Sequence, residues 1–345
     1  MKPHPGLEVP VQASAYVFPT LLAYKKSALL RAGIELGIFA RLGVRPATAD
    51  EVARDLELAP RGARLLLNAL VCIDALEEAE GTYRLAPVAA ETLDPAREGY
   101  LGEMSRILTS RWEWEAMGRL PEAVRRGGPV IAEHVDQLDF PYFEQFATHA
   151  SAVTDPTAAR VAGTINDWAT QRERLHILDL ACGQGVYGFT IAQQHPQARV
   201  WSVDNSQVLE ITQKNAVRLG VADRVETIAG DMFTLDLGGP YDLVLIANVL
   251  HHYTPECATD LLRRAAAVTN PGGKLILVGI TPDDGPVRDS PDAHLFSLLM
   301  LVWTENGEAR SVGYYQRLLS ATGYKDMQLH RQAEIPMRII VADRV

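Results

Sequence analysis

From residue 174 onward, short apolar runs alternate with helix-forming stretches, and this alternation restricts the possible folds more than any other feature of the chain. The runs are LHILDLA, ARVWSVD, RVETIAGD, YDLVLIAN and GKLILVGI. Nearly continuous apolar runs belong to strands buried on both faces, so the pattern predicts a parallel sheet covered by helices on either side. Residues 173–345 are therefore expected to form a Rossmann-like α/β core. A helical connector is expected over 106–172, in segments such as SRILTSRWEWEAMGRL and PYFEQFATHA.

Residues 1–105 have a different texture. SAYVFPTLLAYKKSALLRAGIELGIFARL repeats apolar residues at three- and four-residue steps, as an amphipathic helix does. Thr48 followed by Glu51 matches a capping box, and Pro60 suits the first turn of a second helix. Gly81-Thr82 then turns between Leu76–Glu80 and Tyr83–Leu85. Helix, turn, helix and wing make a winged-helix pattern, which raises the possibility of DNA binding. A DNA reader needs charge to neutralise phosphates. Residues 1–105 carry 11 Lys and Arg against 14 Asp and Glu, and the would-be recognition helix offers only Arg61 and Arg64. Packing and homodimerisation through the apolar first helix is the expected role. The formal charge of -10 argues in the same sense against nucleic acid and anionic membrane. Three separated cysteines without a CxxC pair suggest neither disulfides nor a cysteine metal site. The opening MKPHPGLEVPVQ lacks the pattern of a secretory signal, and a cytoplasmic protein is expected.

The chemistry-bearing residues lie at the ends of the apolar runs. Asp179-Leu180-Ala181-Cys182-Gly183-Gln184-Gly185 is a strand running into a glycine loop. Its glycines let the backbone approach a ligand, and a helix starting near Val186 points free N–H groups at the same place. Asp204 ends the second run, 19 residues beyond Gly185, where a carboxylate can accept both hydroxyls of a ribose. Asp231 ends the third, with Met232 and Phe233 placed to lie beside an adenine ring. Asn248 ends the fourth. A nicotinamide-binding fold is a rival, because Gly188 completes a GxGxxG pattern.

Taken in order, DLACGQG, VDNS, AGDMF, NVLHHY and NPGGKLILV resemble the motifs of class I S-adenosylmethionine-dependent methyltransferases. The whole chain is similar to the small-molecule O-methyltransferase family of plant caffeate and bacterial natural-product enzymes. That resemblance implies a winged-helix dimerisation domain, a seven-stranded sheet with its last strand antiparallel, and an intertwined dimer. It further implies a methyl donor held by Asp179, Gly183, Gly185, Asp204, Asp231, Met232, Phe233 and Asn248. His251 falls on the family's general base, and Phe143, Met300, Trp303 and Thr304 on its acceptor wall.

Some residues depart from the family pattern. The base is usually followed by Asp-Trp, where this chain has His252-Tyr253. Two glutamates usually orient the base, and here Gly279-Ile280-Thr281 and Tyr314 stand in their places. A further histidine, His294, occurs in SPDAHLFSLLML. If His251, His252 and His294 converge, they could hold Zn or Fe. A few family members with such a centre methylate the carbon beside the carbonyl of a 2-oxo acid. Metal-assisted C-methylation of a 2-oxo acid is the leading expectation. Base-catalysed O-methylation of a phenolic or similar hydroxyl is the enzymatic alternative, and a ligand-sensing DNA-binding regulator is the remote one.

Overall fold

The computed structural model describes residues 11–131, 140–331 and 337–345. It divides between Ser110 and Arg111 into two compact units.

The first unit opens with α1 (Val11–Glu35) and α2 (Ile38–Val44). They are separated at Gly37, whose left-handed backbone (φ 71°) suits a residue without Cβ. Strand β1 (Ala47–Thr48) leads into α3 (Ala49–Asp55), where both halves of the Thr48–Glu51 capping box are made. Helix α4 (Pro60–Val71) begins on Pro60. The wing is a hairpin of β2 (Leu76–Ala79) and β3 (Thr82–Leu85), and β1 adds to its free edge in the order β1-β3-β2. Ile38, Phe39, Val52, Leu67 and Leu70 fill the core. Helices α5 (Pro87–Thr92) and α6 (Ser105–Leu108) follow. Along α1, by contrast, Tyr16, Phe18 and Leu21 are 73%, 62% and 65% exposed. Among the described residues no helix is long and apolar enough to cross a membrane.

The second unit starts with the helices α7 (Arg111–Gly118), α8 (Leu120–Arg126), α9 (Tyr142–His149) and α10 (Ser151–Thr170). Strands and helices then alternate: β4 (Leu175–Leu180), α11 (Val186–Gln194), β5 (Ala198–Asp204), α12 (Ser206–Arg218), β6 (Val225–Ala229) and β7 (Tyr241–Ala247). There follow α13 (Pro255–Val268), β8 (Thr269–Ile280), α14 (Pro291–Trp303), α15 (Val312–Ala321), β9 (Tyr324–Arg331) and β10 (Met337–Arg344).

The seven strands pair in the order β6-β5-β4-β7-β8-β10-β9. β4 to β8 run parallel, and β10 lies antiparallel between β8 and β9. Alternate residues of each strand face opposite layers. Ile177, Val200, Leu243 and Ile276 pack with Val161 and Phe189 on one side. Leu178, Val203, Val244 and Leu275 pack with Leu261 and Leu319 on the other. This double burial explains why the runs read as almost unbroken apolar sequence. Strand order reverses between β4 and β7, and such a switch point opens a crevice at the carboxyl ends of the strands.

Candidate active site

The crevice is a cavity of about 460 Å³ whose walls include Gly183, Asp204, Asp231, Asn248, His252 and Phe143. At its floor the chain leaves β4 through Ala181, Gly183 and Gly185, all with positive φ (53°, 56° and 75°). The two glycines do different work. A Cβ on Gly183 would meet no protein atom within 4 Å, so it would stand in the cavity. A Cβ on Gly185 would lie 2.3 Å from the Phe189 ring, so this glycine lets α11 pack and does not line the cavity. Asp179 is also withdrawn from the ligand. It is fully buried, with one oxygen 3.4 Å from the Gly188 amide and the other lacking a hydrogen-bond partner. Burial pushes its carboxyl up to about 8, against the opposing pull of the Gly188 amide.

Asp204 stands where the spacing places it. Its Oδ2 accepts from Gly183 N at 2.9 Å and its Oδ1 from Asn205 N at 2.8 Å. Burial raises its carboxyl, while these two amides oppose that shift. Each oxygen keeps a further lone pair for a ligand hydroxyl. Asp231 lies two residues past the end of β6 and does not end the strand. Its carboxylate accepts from Phe233 N at 2.9 Å and is 3.3 Å from the Thr234 hydroxyl. Met232 lines the cavity, but Phe233 packs edge-on against Tyr253 at 4.9 Å. Asn248 adopts φ 56° and donates to the Tyr187 hydroxyl at 3.4 Å. Gln184, Tyr187 and Phe146 also line the cavity, and nothing in their spacing marked them. Gln184 is held by donating to Thr154 Oγ1 at 2.7 Å.

His251 and His252 occupy the turn after β7, with ring centroids 4.4 Å apart. His252 lines the cavity and faces Phe143 edge-on at 6.3 Å. Its Nδ1 is buried without a hydrogen-bond partner, and burial pushes the imidazole down to about 4, opposed by a backbone hydrogen bond at Asn248. His251 is set deeper and does not line that cavity. It is 6% exposed and packs at right angles to Phe296 at 4.8 Å. Burial, then the neighbouring His252, hold its imidazole well below the usual range. Burial thus disfavours the charged form of both rings.

The expected histidine trio does not assemble. Phe296 is the α14 residue facing His251, and His294 lies two positions away, about 200° around the helix axis. Among the described residues no group of three His, Cys, Asp or Glu side chains is placed to hold a metal ion. The donor set therefore does not fit a three-imidazole Zn or Fe centre. Of the expected acceptor wall, only Phe143 lines the cavity. Met300 and Trp303 are buried in an aromatic cluster, with Tyr142 at 4.5 Å from Trp303. The Thr304 hydroxyl is used at the end of α14, donating to Met300 O and accepting from Gly307 N, both at 2.7 Å.

A sheet in this strand order, with a carboxylate at the end of its second strand and a glycine loop at its first, defines a class I S-adenosylmethionine-dependent methyltransferase. Residues 159–325 match the model of an O-methyltransferase domain, and residues 18–94 that of an O-methyltransferase dimerisation domain. The chain is 33% identical to a Nostoc punctiforme protein named as a candidate O-methyltransferase. That structure superposes with a TM-score of 0.89, over 96% of this chain and 99% of the other. It is 27% identical, over 95% of each chain, to the tetracenomycin polyketide synthesis 8-O-methyl transferase of Streptomyces glaucescens. The fold is shared with human N-acetylserotonin methyltransferase in complex with S-adenosylmethionine. That match has a TM-score of 0.80 at 23% identity, covering 98% of this chain and 99% of the other. The chain belongs to the O-methyltransferase family with an N-terminal dimerisation domain, and it is a methyltransferase.

Two outcomes test this geometry. Gly183→Val should abolish calorimetrically measured binding of S-adenosylmethionine, since the side chain enters the cavity and the left-handed backbone disfavours a β-branched residue. Retained affinity would remove Gly183 from the donor site. Asp179→Asn should become progressively more stable than the parent as pH rises from about 4 to about 8. In that window the folded parent must hold a proton that the unfolded chain releases. Denaturant titrations at pH 5 and pH 8 read the difference, and an equal offset at both would contradict the buried, protonated carboxyl.

Proposed function

We propose that this enzyme methylates a hydroxyl of a small acceptor, with His251 as general base, and works as a homodimer. The observation that carries this reading is the pair of buried imidazoles where β7 leaves the donor cavity, with no third metal-ligating side chain gathered to them among the described residues. S-adenosylmethionine supplies an electrophilic sulfonium methyl. The protein's task is to hold both reactants in line and to accept the proton. Asp204 suits the ribose of the donor and Asp231, with Met232, its adenine. Gly183 keeps the backbone out of the way. Phe143 and Phe146 offer flat apolar surface on the acceptor side, which favours an aromatic or similarly planar acceptor. Imidazoles held neutral by burial are weak bases, so the acceptor hydroxyl is an acidic one, phenolic or enolic. His252, at the cavity wall, contacts the acceptor beside the point where His251 takes its proton. The exposed Tyr16, Phe18 and Leu21 of α1 supply the apolar surface a second subunit covers.

Metal-assisted C-methylation of a 2-oxo acid needs a third ligand beside His251 and His252. His294 does not provide it, and we derive no step through a metal.

Turnover of a phenolic acceptor should therefore survive prior chelation and His294→Ala. His251→Ala should lower kcat by about 10²- to 10⁴-fold with donor affinity retained. Activity lost on chelation and restored by Zn or Fe would overturn the O-methylation reading. A His251→Ala variant with full turnover would overturn the base assignment.

A further inference from the structure

Beside His251 is a further, small cavity of about 10 Å³ that shares no lining residue with the donor cavity, about the room that one water molecule needs. Its polar lining comes from four elements: His251 after β7, Thr281 after β8, Tyr315 on α15 and Arg338 on β10. Gly279 also lines it. A Cβ built on Gly279 would meet His251 through Nδ1, at 3.9 Å, so Nδ1 is the ring nitrogen on the cavity side. Arg338 stands opposite Gly279 in the β8–β10 pairing. The outer end of its guanidinium is 3.5 Å from the Asp283 carboxylate, while its Nε is buried with no hydrogen-bond partner. A buried N–H needs an acceptor, and the lining of this cavity supplies hydroxyls and an imidazole.

The geometry points to a single buried water that orients His251, doing here what a carboxylate would do for a base held by a direct ion pair. Arg338 Nε–H and His251 Nδ1–H donate to its oxygen, and its own protons go to Thr281 Oγ1 and Tyr315 Oη. The four-coordinate arrangement fixes the tautomer, leaving the Nε2 lone pair for the proton of the acceptor. It has a chemical consequence. A water shared with a guanidinium fixes the ring's direction without raising its basicity, as a carboxylate partner would. Thr281, Tyr315 and Arg338 are thus positioning residues, and Thr281 carries the cleanest test, because its hydroxyl can be removed at nearly constant volume.

This inference rests on His251 as the base, and the experiment separates the two. A high-resolution crystal structure of the full chain should show one density peak within hydrogen-bond distance of both His251 Nδ1 and Arg338 Nε. An empty cavity, or a peak touching neither nitrogen, overturns the proposal whatever the kinetics. Thr281→Val should lower kcat by roughly 10- to 100-fold while KM stays within about twofold, and Thr281→Ser should restore it. Unchanged kcat in Thr281→Val beside an inactive His251→Ala overturns the positioning role and spares the base. A fully active His251→Ala overturns the base reading, and the density peak then still decides whether the water is there.

Discussion

The active cleft depends on one hydrogen bond, from the Gly183 amide to Asp204 Oδ2 at 2.9 Å. It joins the loop after β4 to the end of β5, two strands that are neighbours in the sheet. Through it the left-handed turn at Gly183 and the carboxylate at the cavity wall hold one another in place. The Asn205 amide secures the second oxygen, so the carboxylate is fixed before any ligand arrives. Preorganisation of this kind removes an ordering cost from binding.

On the far side of the cleft the organising effect is desolvation. His251 and His252 sit among apolar and aromatic side chains, with Phe296, Phe143 and each other as near neighbours. Charge on either ring is opposed by burial. A buried imidazole pair of this sort can take a proton only in passing, when an acidic acceptor releases it. Under the proposed O-methylation the chemistry is shared between an acidic acceptor and a donor that is already electrophilic. The protein contributes alignment and dryness.

Much of the fold could be read from the chain, and so could the place of Gly183, Asp204, Asp231, Met232, Asn248, His252 and Phe143 at the cavity wall. Strand ends and glycine loops depend on residues close in sequence, which is why the sheet, the wing, the Thr48 cap, Gly183 and Asp204 were legible. The expected site residues that do not line the cavity share another cause. Phe233 follows Met232, and consecutive side chains diverge, so only one of them reaches the cavity. His294 looked like a ligand by residue type, but the helical phase set by Phe296 turns it away. Thr304 looked like an acceptor contact, yet its hydroxyl is needed where α14 ends. Asp179 and Gly185 belong to the right motif and serve the packing beneath it. Arg338 could not have been linked to His251 at all, because only the antiparallel insertion of β10 beside β8 brings them to one cavity.

The most direct test of the central claim is a crystal structure of the full chain with S-adenosylhomocysteine, the demethylated donor. Our account requires its ribose hydroxyls within hydrogen-bond distance of the Asp204 carboxylate, and its sulfur on the side of the cavity bordered by His252 and Phe143. Density for the nucleoside away from Asp204, or no density at saturating ligand, would contradict it.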